Sequence, residues 1–243
     1  MDYAVFFDIF NTVMGDNGLC RFTQENESRM FYTLMQHMLE VNKSMNLTAI
    51  KDERAVILRH FADSLTVEPF LPQNASVIDS GCGAGFPCLP LAICRPDLSI
   101  TALDSTEKRI HYVKSTAELL KRLNFSAVAM RAEEGAHNAA YREKYDVCTA
   151  RAVAALPILA ELCLPYVRAG GSFIAMKATK GEDELNAARN GIKKLGGEIV
   201  NLHRITLRDG AEAEERILIE IKKVRATPSE LPRAYAKICK KPL

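Results

Sequence analysis

The chain has 243 residues, 48% of them hydrophobic and 26% charged, proportions ordinary for a globular protein with a sizeable core in one large domain or a domain with an extension. No apolar run approaches the about 20 residues of a membrane-spanning helix, and Met1-Asp2-Tyr3 lacks the basic start of a secretory signal, so a soluble, cytoplasmic protein without membrane contact is expected. The net charge is only +2, but seven basic residues and one acidic residue lie from Lys222 onward, a net +6 that leaves −4 on residues 1–221 and fits either an anionic partner or a solvated tail.

Residues 1–22 are apolar and aromatic with Gly and Asn interruptions, and predict only a short helix. A stronger helix follows. Thr23 can cap it, Glu25 and Glu27 fall in its first turn, and Met30, Leu34, Met38 and Val41 recur at helical spacing before the polar stretch 42–46. A second helix is predicted over 52–68, capped by Asp52, carrying Val56, Ile57, Phe61 and Leu65, and stopped by Pro69 and Pro72. Residues 1–72 therefore read as a helical N-terminal subdomain and 73–243 as a second domain with the basic tail.

From Ser76 strands and helices alternate. Strands are predicted at 76–79, 99–103, 127–131, 146–150 and 172–177. Helices are predicted at 87–94, at 107–123 with Ile110, Val113, Ala117 and Leu120 on one face, from the fourth strand to 167, and at 182–195 before Gly196-Gly197. Two late strands, 198–207 and 216–223, can pair as a hairpin around Asp209-Gly210. Such alternation implies a parallel sheet with helices on both faces. The whole fits an α/β fold with a seven-stranded, mostly parallel sheet and one antiparallel strand, the arrangement of Rossmann-like class I methyltransferases. Seven cysteines, odd in number and without a Cys-x-x-Cys pair, argue against a disulfide framework and against a metal site such as zinc.

The chemistry is concentrated at Asp79-Ser80-Gly81-Cys82-Gly83-Ala84-Gly85, between the first strand and its helix. Ligands of open α/β sheets bind beyond the carboxyl ends of the strands, and glycines there let a ligand approach the backbone. A dinucleotide loop reads Gly-x-Gly-x-x-Gly, because a pyrophosphate lies on the helix N-terminus. The third glycine would fall at position 86, which is Phe86. Spacing Gly81, Gly83, Gly85 followed by Phe86-Pro87 suits S-adenosylmethionine better than a diphosphate. Asp104 ends the second strand and is a candidate acceptor for both ribose hydroxyls, or else a helix cap. Ala132 and Glu133 after the third strand can read the adenine, though a plain helix start explains them equally well. Arg151, after the fourth strand, faces the methyl group and its acceptor.

Several segments together resemble the ribosomal RNA small subunit methyltransferase G family, also called glucose-inhibited division protein B. They are Asn42-Lys43-Ser44-Met45-Asn46-Leu47-Thr48, Arg59-His60-Phe61-Ala62-Asp63-Ser64-Leu65, the glycine loop through Pro90, and Leu103-Asp104-Ser105 with Lys108-Arg109. Arg131-Ala132-Glu133-Glu134, Ala150-Arg151-Ala152-Val153, Ala175-Met176-Lys177 and the closing Lys240-Lys241-Pro242-Leu243 continue the match. The resemblance implies methylation of guanine N7 in the 530 loop of bacterial 16S ribosomal RNA, presented either as naked RNA or within the 30S subunit; nothing in the sequence demands more than a monomer, and no obligatory protein partner is expected. It implies cofactor contacts at Gly81, Phe86, Ala132, Glu133 and Arg151. Cys82 and Cys88 depart from the family's usual threonine and glycine, and the tail motif is partly lost at Leu231-Pro232-Arg233-Ala234-Tyr235.

Guanine N7 carries an in-plane lone pair and no proton, so positioning residues rather than a general base are expected. Arg131, Arg151 and Lys177 are the candidates for catalysis. Asn46, Arg59, His60, Lys177 and Arg233 are the candidates for RNA contact, with His60 equally readable as a hydrogen-bonded structural histidine. Other methyl-transfer chemistries leave marks that the loop after the fourth strand lacks. It reads Ala-Arg-Ala-Val-Ala, without the Asn/Asp-Pro-Pro-aromatic signature of amino-nitrogen methylation or the Pro-Cys nucleophile of cytosine C5 methylation. A different methyl acceptor and a nicotinamide-dependent oxidoreductase on a similar sheet are the alternatives.

Overall fold

The computed structural model of the chain describes residues 1–178 and 183–243. Residue 182, the expected start of the 182–195 helix, lies outside them.

Asp2 begins the first helix, its Oδ1 accepting from Val5 N at 3.0 Å. This helix, α1 (Tyr3–Asp16), is longer than the short one expected. Phe6, Phe10, Val13 and Met14 line its inner face and are fully buried, while Val5 on its outer face is apolar too. That weak contrast between faces hides the helix in the sequence. In α2 (Glu25–Met45), Phe31, Leu34, Met35 and Met38 are buried, with Met30 and Val41 at the margin of the same core. Thr23 does not cap it. Gln24 stands at the N-cap, and the Thr23 hydroxyl donates backwards to Cys20 O at 2.9 Å.

Asp52 does cap the next helix, accepting from Ala55 N at 2.8 Å. That helix is not uniform. It runs as α3 (Glu53–Val56), a π-helical stretch Ile57–Ala62 and α4 (Asp63–Leu65). π-helical turns within α-helices are rare and frequent at functional sites. This one carries Arg59 and His60.

The strands are β1 (Ser76–Ser80), β2 (Ser99–Asp104), β3 (Phe125–Ala129), β4 (Tyr145–Arg151), β5 (Val167–Lys177), β6 (Gly197–Asp209) and β7 (Glu212–Lys223). They form one sheet ordered β3-β2-β1-β4-β5-β7-β6. Only β7 runs against its neighbours. The remaining helices are α5 (Cys88–Cys94), α6 (Glu107–Leu119), α7 (Ala132–Gly135), α8 (Leu156–Cys163), α9 (Leu185–Lys194) and α10 (Tyr235–Lys240). The helix expected to reach 123 stops at Leu119 and leaves Leu123 94% exposed. The helix expected to reach 167 gives way to a 3-10 turn and to β5, which starts at Val167.

Successive strand residues point to opposite faces. Val77 enters the core formed with α1, α2, α5 and α6, while Ile78 enters the core formed with α8, α9 and α10. The N-terminal helices thus share one continuous apolar core with the sheet. No described helix is long and apolar enough to cross a membrane.

Candidate active site

Strand order reverses between β1 and β4, so their carboxyl ends flank a crevice, as open α/β sheets require at such a point. A cavity of about 760 Å³ opens there.

The glycine loop forms its floor. Gly81 N and Cys82 N both donate to Leu103 O, at 2.7 and 3.0 Å, which pins the loop to β2. Gly83 has φ +57°, and a Cβ built there would stand in open space; Gly85 has φ +88°, and a Cβ there would lie 2.3 Å from Leu89 Cδ1. Gly83 is therefore bare towards a ligand, whereas Gly85 is bare for packing. Gly81, Gly83 and Phe86 line the cavity.

Asp79 stands behind the loop. Its parallel partner across the sheet is Thr149, whose hydroxyl donates to Asp79 Oδ1 at 3.1 Å. Cys88 N donates to Oδ2 at 3.3 Å, which holds the start of α5. Complete burial raises the pKa of Asp79 to about 6, opposed by these hydrogen bonds and by the charge of Arg151. Asp79 and Gly85, cofactor-binding candidates in the sequence, are not among the lining residues; they support the loop that does the lining.

Asp104 closes the end of β2 and is buried. Its Oδ2 accepts from Gly83 N at 3.1 Å and its Oδ1 from Thr106 N at 2.9 Å, so it braces both the loop and the approach to α6. A carboxylate has lone pairs beyond these two bonds, and Asp104 lines the cavity. Next along the wall come Met130, Arg131, Ala132 and Glu133. The Tyr166 hydroxyl donates to Ala132 O at 2.6 Å and fixes this segment. Arg131 pairs with Glu133 at 3.2 Å and lies 4.5 Å from the ring centroid of Tyr235.

The fourth wall brings the π-helical turn onto the end of β4. Arg151 donates from Nη1 to Arg59 O at 2.9 Å and to Asp63 Oδ2 at 3.0 Å. Asp63 Oδ1 takes Arg216 Nε from β7 at 3.2 Å, and Arg216 and Arg59 share Glu214 at 2.9 and 2.6 Å. Arg151 Nη2 lies 3.3 Å from His60 Nδ1. A guanidinium only donates, so Nδ1 accepts and the proton sits on Nε2, which donates to Thr48 Oγ1 at 2.9 Å. The imidazole stacks on Phe86 with centroids 4.4 Å apart and planes 5° apart. Burial, and then the charge of Arg151, push the pKa of His60 down to about 3, so the ring is neutral.

The other expected residues are less central. Lys177 lines the cavity, but its ammonium donates to Ala154 O at 2.7 Å and pairs with Glu184 at 2.9 Å, holding the loop after β4. Arg59 stands at the rim, with its side chain 47% exposed. Asn46 lies outside the cavity and ends α2 in the left-handed conformation. Arg233, the remaining candidate for RNA contact, does not line the cavity: its guanidinium makes two bonds, at 2.9 and 2.7 Å, to Glu161, which is fully buried. The sequence reading missed Thr48, Asp63, Arg216 and Tyr235 as site residues. Thr48, Asp63 and Tyr235 stood inside quoted segments without being singled out, but Arg216 carried no local signal.

A family model described as rRNA small subunit methyltransferase G matches residues 27–211. The chain belongs to the ribosomal RNA small subunit methyltransferase G family. The protein of that name from Lactobacillus delbrueckii subsp. bulgaricus is 42% identical over 221 residues, covering 89% of this chain and 92% of that one. The one from Staphylococcus saprophyticus is 43% identical, covering 90% and 91%. The chain is thus a methyltransferase of this family. Among solved structures, M. jannaschii TYW2 in complex with AdoMet has a TM-score of 0.53 at 14% identity, covering 67% of this chain and 75% of that one. An S-adenosylmethionine-dependent O-methyltransferase from Thermotoga maritima has a TM-score of 0.50 at 15% identity, covering 79% and 73%. At such identities these neighbours establish the shared Rossmann-like methyltransferase fold.

Proposed function

We propose that this methyltransferase modifies guanine N7 in the 530 loop of 16S ribosomal RNA, with S-adenosylmethionine as donor, acting as a monomer on the 30S subunit in the cytoplasm. The residues present fit that cofactor. Gly83 offers a cradle that any side chain would fill, Asp104 an acceptor beside it for ribose hydroxyls, and Phe86 an apolar ring at the loop mouth. Ala132 and Glu133 are the groups assigned to the adenine. When bound, S-adenosylmethionine supplies an activated methyl group on a sulfonium.

The choice of acceptor rests on one observation. Among the described residues, the acid–base groups at the end of β4 are already engaged. His60 is neutral, its Nδ1 taken by Arg151 and its Nε2 proton given to Thr48. Each oxygen of Asp63 takes a guanidinium. This wall is built to hold position, which suits a nucleophile with a lone pair and no proton to lose. Alignment of reactants alone contributes about 7–11 kcal/mol in favourable cases. The guanine must leave its stack to enter the crevice. Six lining cations (Arg59, Arg109, Arg131, Arg151, Lys177 and Arg216) face three lining carboxylates (Asp63, Asp104 and Glu133) and, just outside the lining, Glu214 and Glu184, a small positive excess that favours a polyanion at the mouth.

Methyl transfer to 30S particles, followed by mass mapping, tests the reading. N7-methylguanine in the 530 loop is the expected product. Methylation of another atom or another RNA refutes the assignment.

A further inference from the structure

Tyr235 opens α10 and lines the cavity, although it lies in the carboxy-terminal segment, far in sequence from the other lining residues. The path that delivers it there is closely held. The buried Lys223 ammonium donates to Leu164 O, Val167 O and Thr227 Oγ1 at 2.8, 3.1 and 2.8 Å. Arg142 donates to Leu231 O at 2.8 Å and to Thr227 O and Pro228 O at 2.8 and 3.0 Å. A ring nitrogen of His137 meets Pro232 O at 2.7 Å, and Glu161 clamps both the backbone N–H and the guanidinium of Arg233. Beyond Tyr235, Ile238 anchors the same helix in the core.

The ring that results is oriented and yet open. One neighbour is the Arg131 guanidinium, 4.5 Å from the ring centroid, itself tied to Glu133. The residue is 39% exposed, and it borders the cavity wall of Met130, Ala132 and Glu133. A large ring held against a cation and lining the crevice is a poor way to fill a core. It is a good way to present a π-face or edge to a planar base.

We propose that Tyr235 is a cofactor-binding residue, its ring walling the adenine end of the crevice, with Arg131 as the positioning residue that orients it. This rests on the assignment of the adenine to Ala132 and Glu133. The basic carboxy-terminal segment then completes the cofactor pocket rather than serving only as an anionic-surface contact.

Calorimetric titration of S-adenosylhomocysteine and of 5′-methylthioadenosine into the wild-type, Tyr235→Ala and Tyr235→Phe chains tests it, with the melting temperature read alongside. Loss of an aromatic–base contact weakens binding at least about fivefold. Tyr235→Ala is expected to weaken both ligands at least that much and by the same factor, because they share the adenine. Tyr235→Phe is expected to stay within twofold, and both variants to melt near the wild type. Wild-type affinity in Tyr235→Ala overturns the proposal, as does a raised KM for 30S particles with unchanged nucleoside binding, which would put Tyr235 on the RNA. Weakened binding accompanied by a large fall in melting temperature, shared by Tyr235→Phe, overturns it in favour of a packing role. No binding of either ligand by the wild-type chain would instead overturn the cofactor reading on which the proposal rests.

Discussion

Gly83 and Gly85 are two residues apart in one loop, and the structure assigns them opposite reasons for being glycine. Alanine at Gly83 takes a left-handed backbone with φ +57° but meets nothing within 4 Å. The backbone penalty alone is about 1–2 kcal/mol, which lowers the melting temperature of a chain this size by about 2–8 °C. Its methyl group, however, occupies the crevice. Displacing a ligand from the loop backbone costs on the order of one hydrogen bond, about 1–1.5 kcal/mol, or roughly tenfold in affinity. Alanine at Gly85 takes the same backbone penalty at φ +88° and also drives its Cβ to 2.3 Å from Leu89, which is fully buried. Overpacking adds about 1–3 kcal/mol. Thermal melting and S-adenosylhomocysteine calorimetry on both variants separate the effects. Gly83→Ala is expected to be the more stable of the two and to lose affinity while still folded. Wild-type binding by Gly83→Ala would mean that the loop does not face the cofactor, and a Gly85→Ala chain as stable as Gly83→Ala would refute the packing reason.

Three further outcomes follow from the buried charges. Asp79 has a folded pKa of about 6, above its ordinary value of 3.8; the fold therefore favours the protonated carboxyl, and stability from this group falls as pH rises from about 4 to 6. The scale is roughly 2–3 kcal/mol at most. Asp79→Asn keeps the shape without the charge, so urea unfolding should find it gaining on the wild type between pH 4.5 and pH 7.5, and an unchanged difference would refute the burial argument. His60, with its pKa near 3, favours the fold in its neutral form. That contribution is complete above about pH 6.5 and is lost as pH falls towards 3; NMR should detect no His60 titration above pH 5. Arg233→Ala leaves the buried Glu161 without its guanidinium. A loss of about 3 kcal/mol in unfolding free energy is expected, with little change in the salt dependence of 30S binding. A marked change in that dependence, with stability intact, would restore Arg233 as an RNA contact.

The parts of the site that were legible in the sequence are those built locally. Three glycines at alternate positions announce their turn because each takes a left-handed backbone, with φ of 78°, 57° and 88°, that other residues disfavour. Asp104 was placed by its position at the end of the second predicted strand, since a strand end in a parallel sheet faces the crevice. The first four strands were legible as short runs between turn signals, and the long, half-exposed β6 and β7 by the Asp209-Gly210 turn between them. Partnership was not legible. His60 and Arg151 are 91 residues apart, and Asp63 and Arg216 are 153 apart. No window of sequence carries the information that a π-helical turn will dock on the ends of β4 and β7. Nor does helical periodicity distinguish a π-helical stretch from the α-helix around it, so Arg59 and His60 were found by motif and not by the turn that presents them.

Charge counting gave the least faithful picture, and the reason bears on where RNA binds. The net +6 after residue 221 suggested a basic arm. Lys223 is fully buried, Arg233 is committed to Glu161, and Arg225 donates to Lys193 O at 2.6 Å. These three charges hold the carboxy-terminal segment against the sheet and bring Tyr235 to the crevice. The cations that favour a polyanion lie instead around the cavity mouth, on α6, at the start of α7, on β4, β5 and β7 and on the π-helical turn, and most of them are individually paired. A paired cation still contributes to the field: the six mouth cations face Asp63, Asp104 and Glu133 in the lining and Glu214 and Glu184 just outside it, which leaves one positive charge in excess. RNA affinity should therefore fall in small steps as single mouth cations are removed and steeply with salt, whereas removal of the exposed tail lysines Lys240 and Lys241 should change the salt slope by no more than about two phosphate contacts.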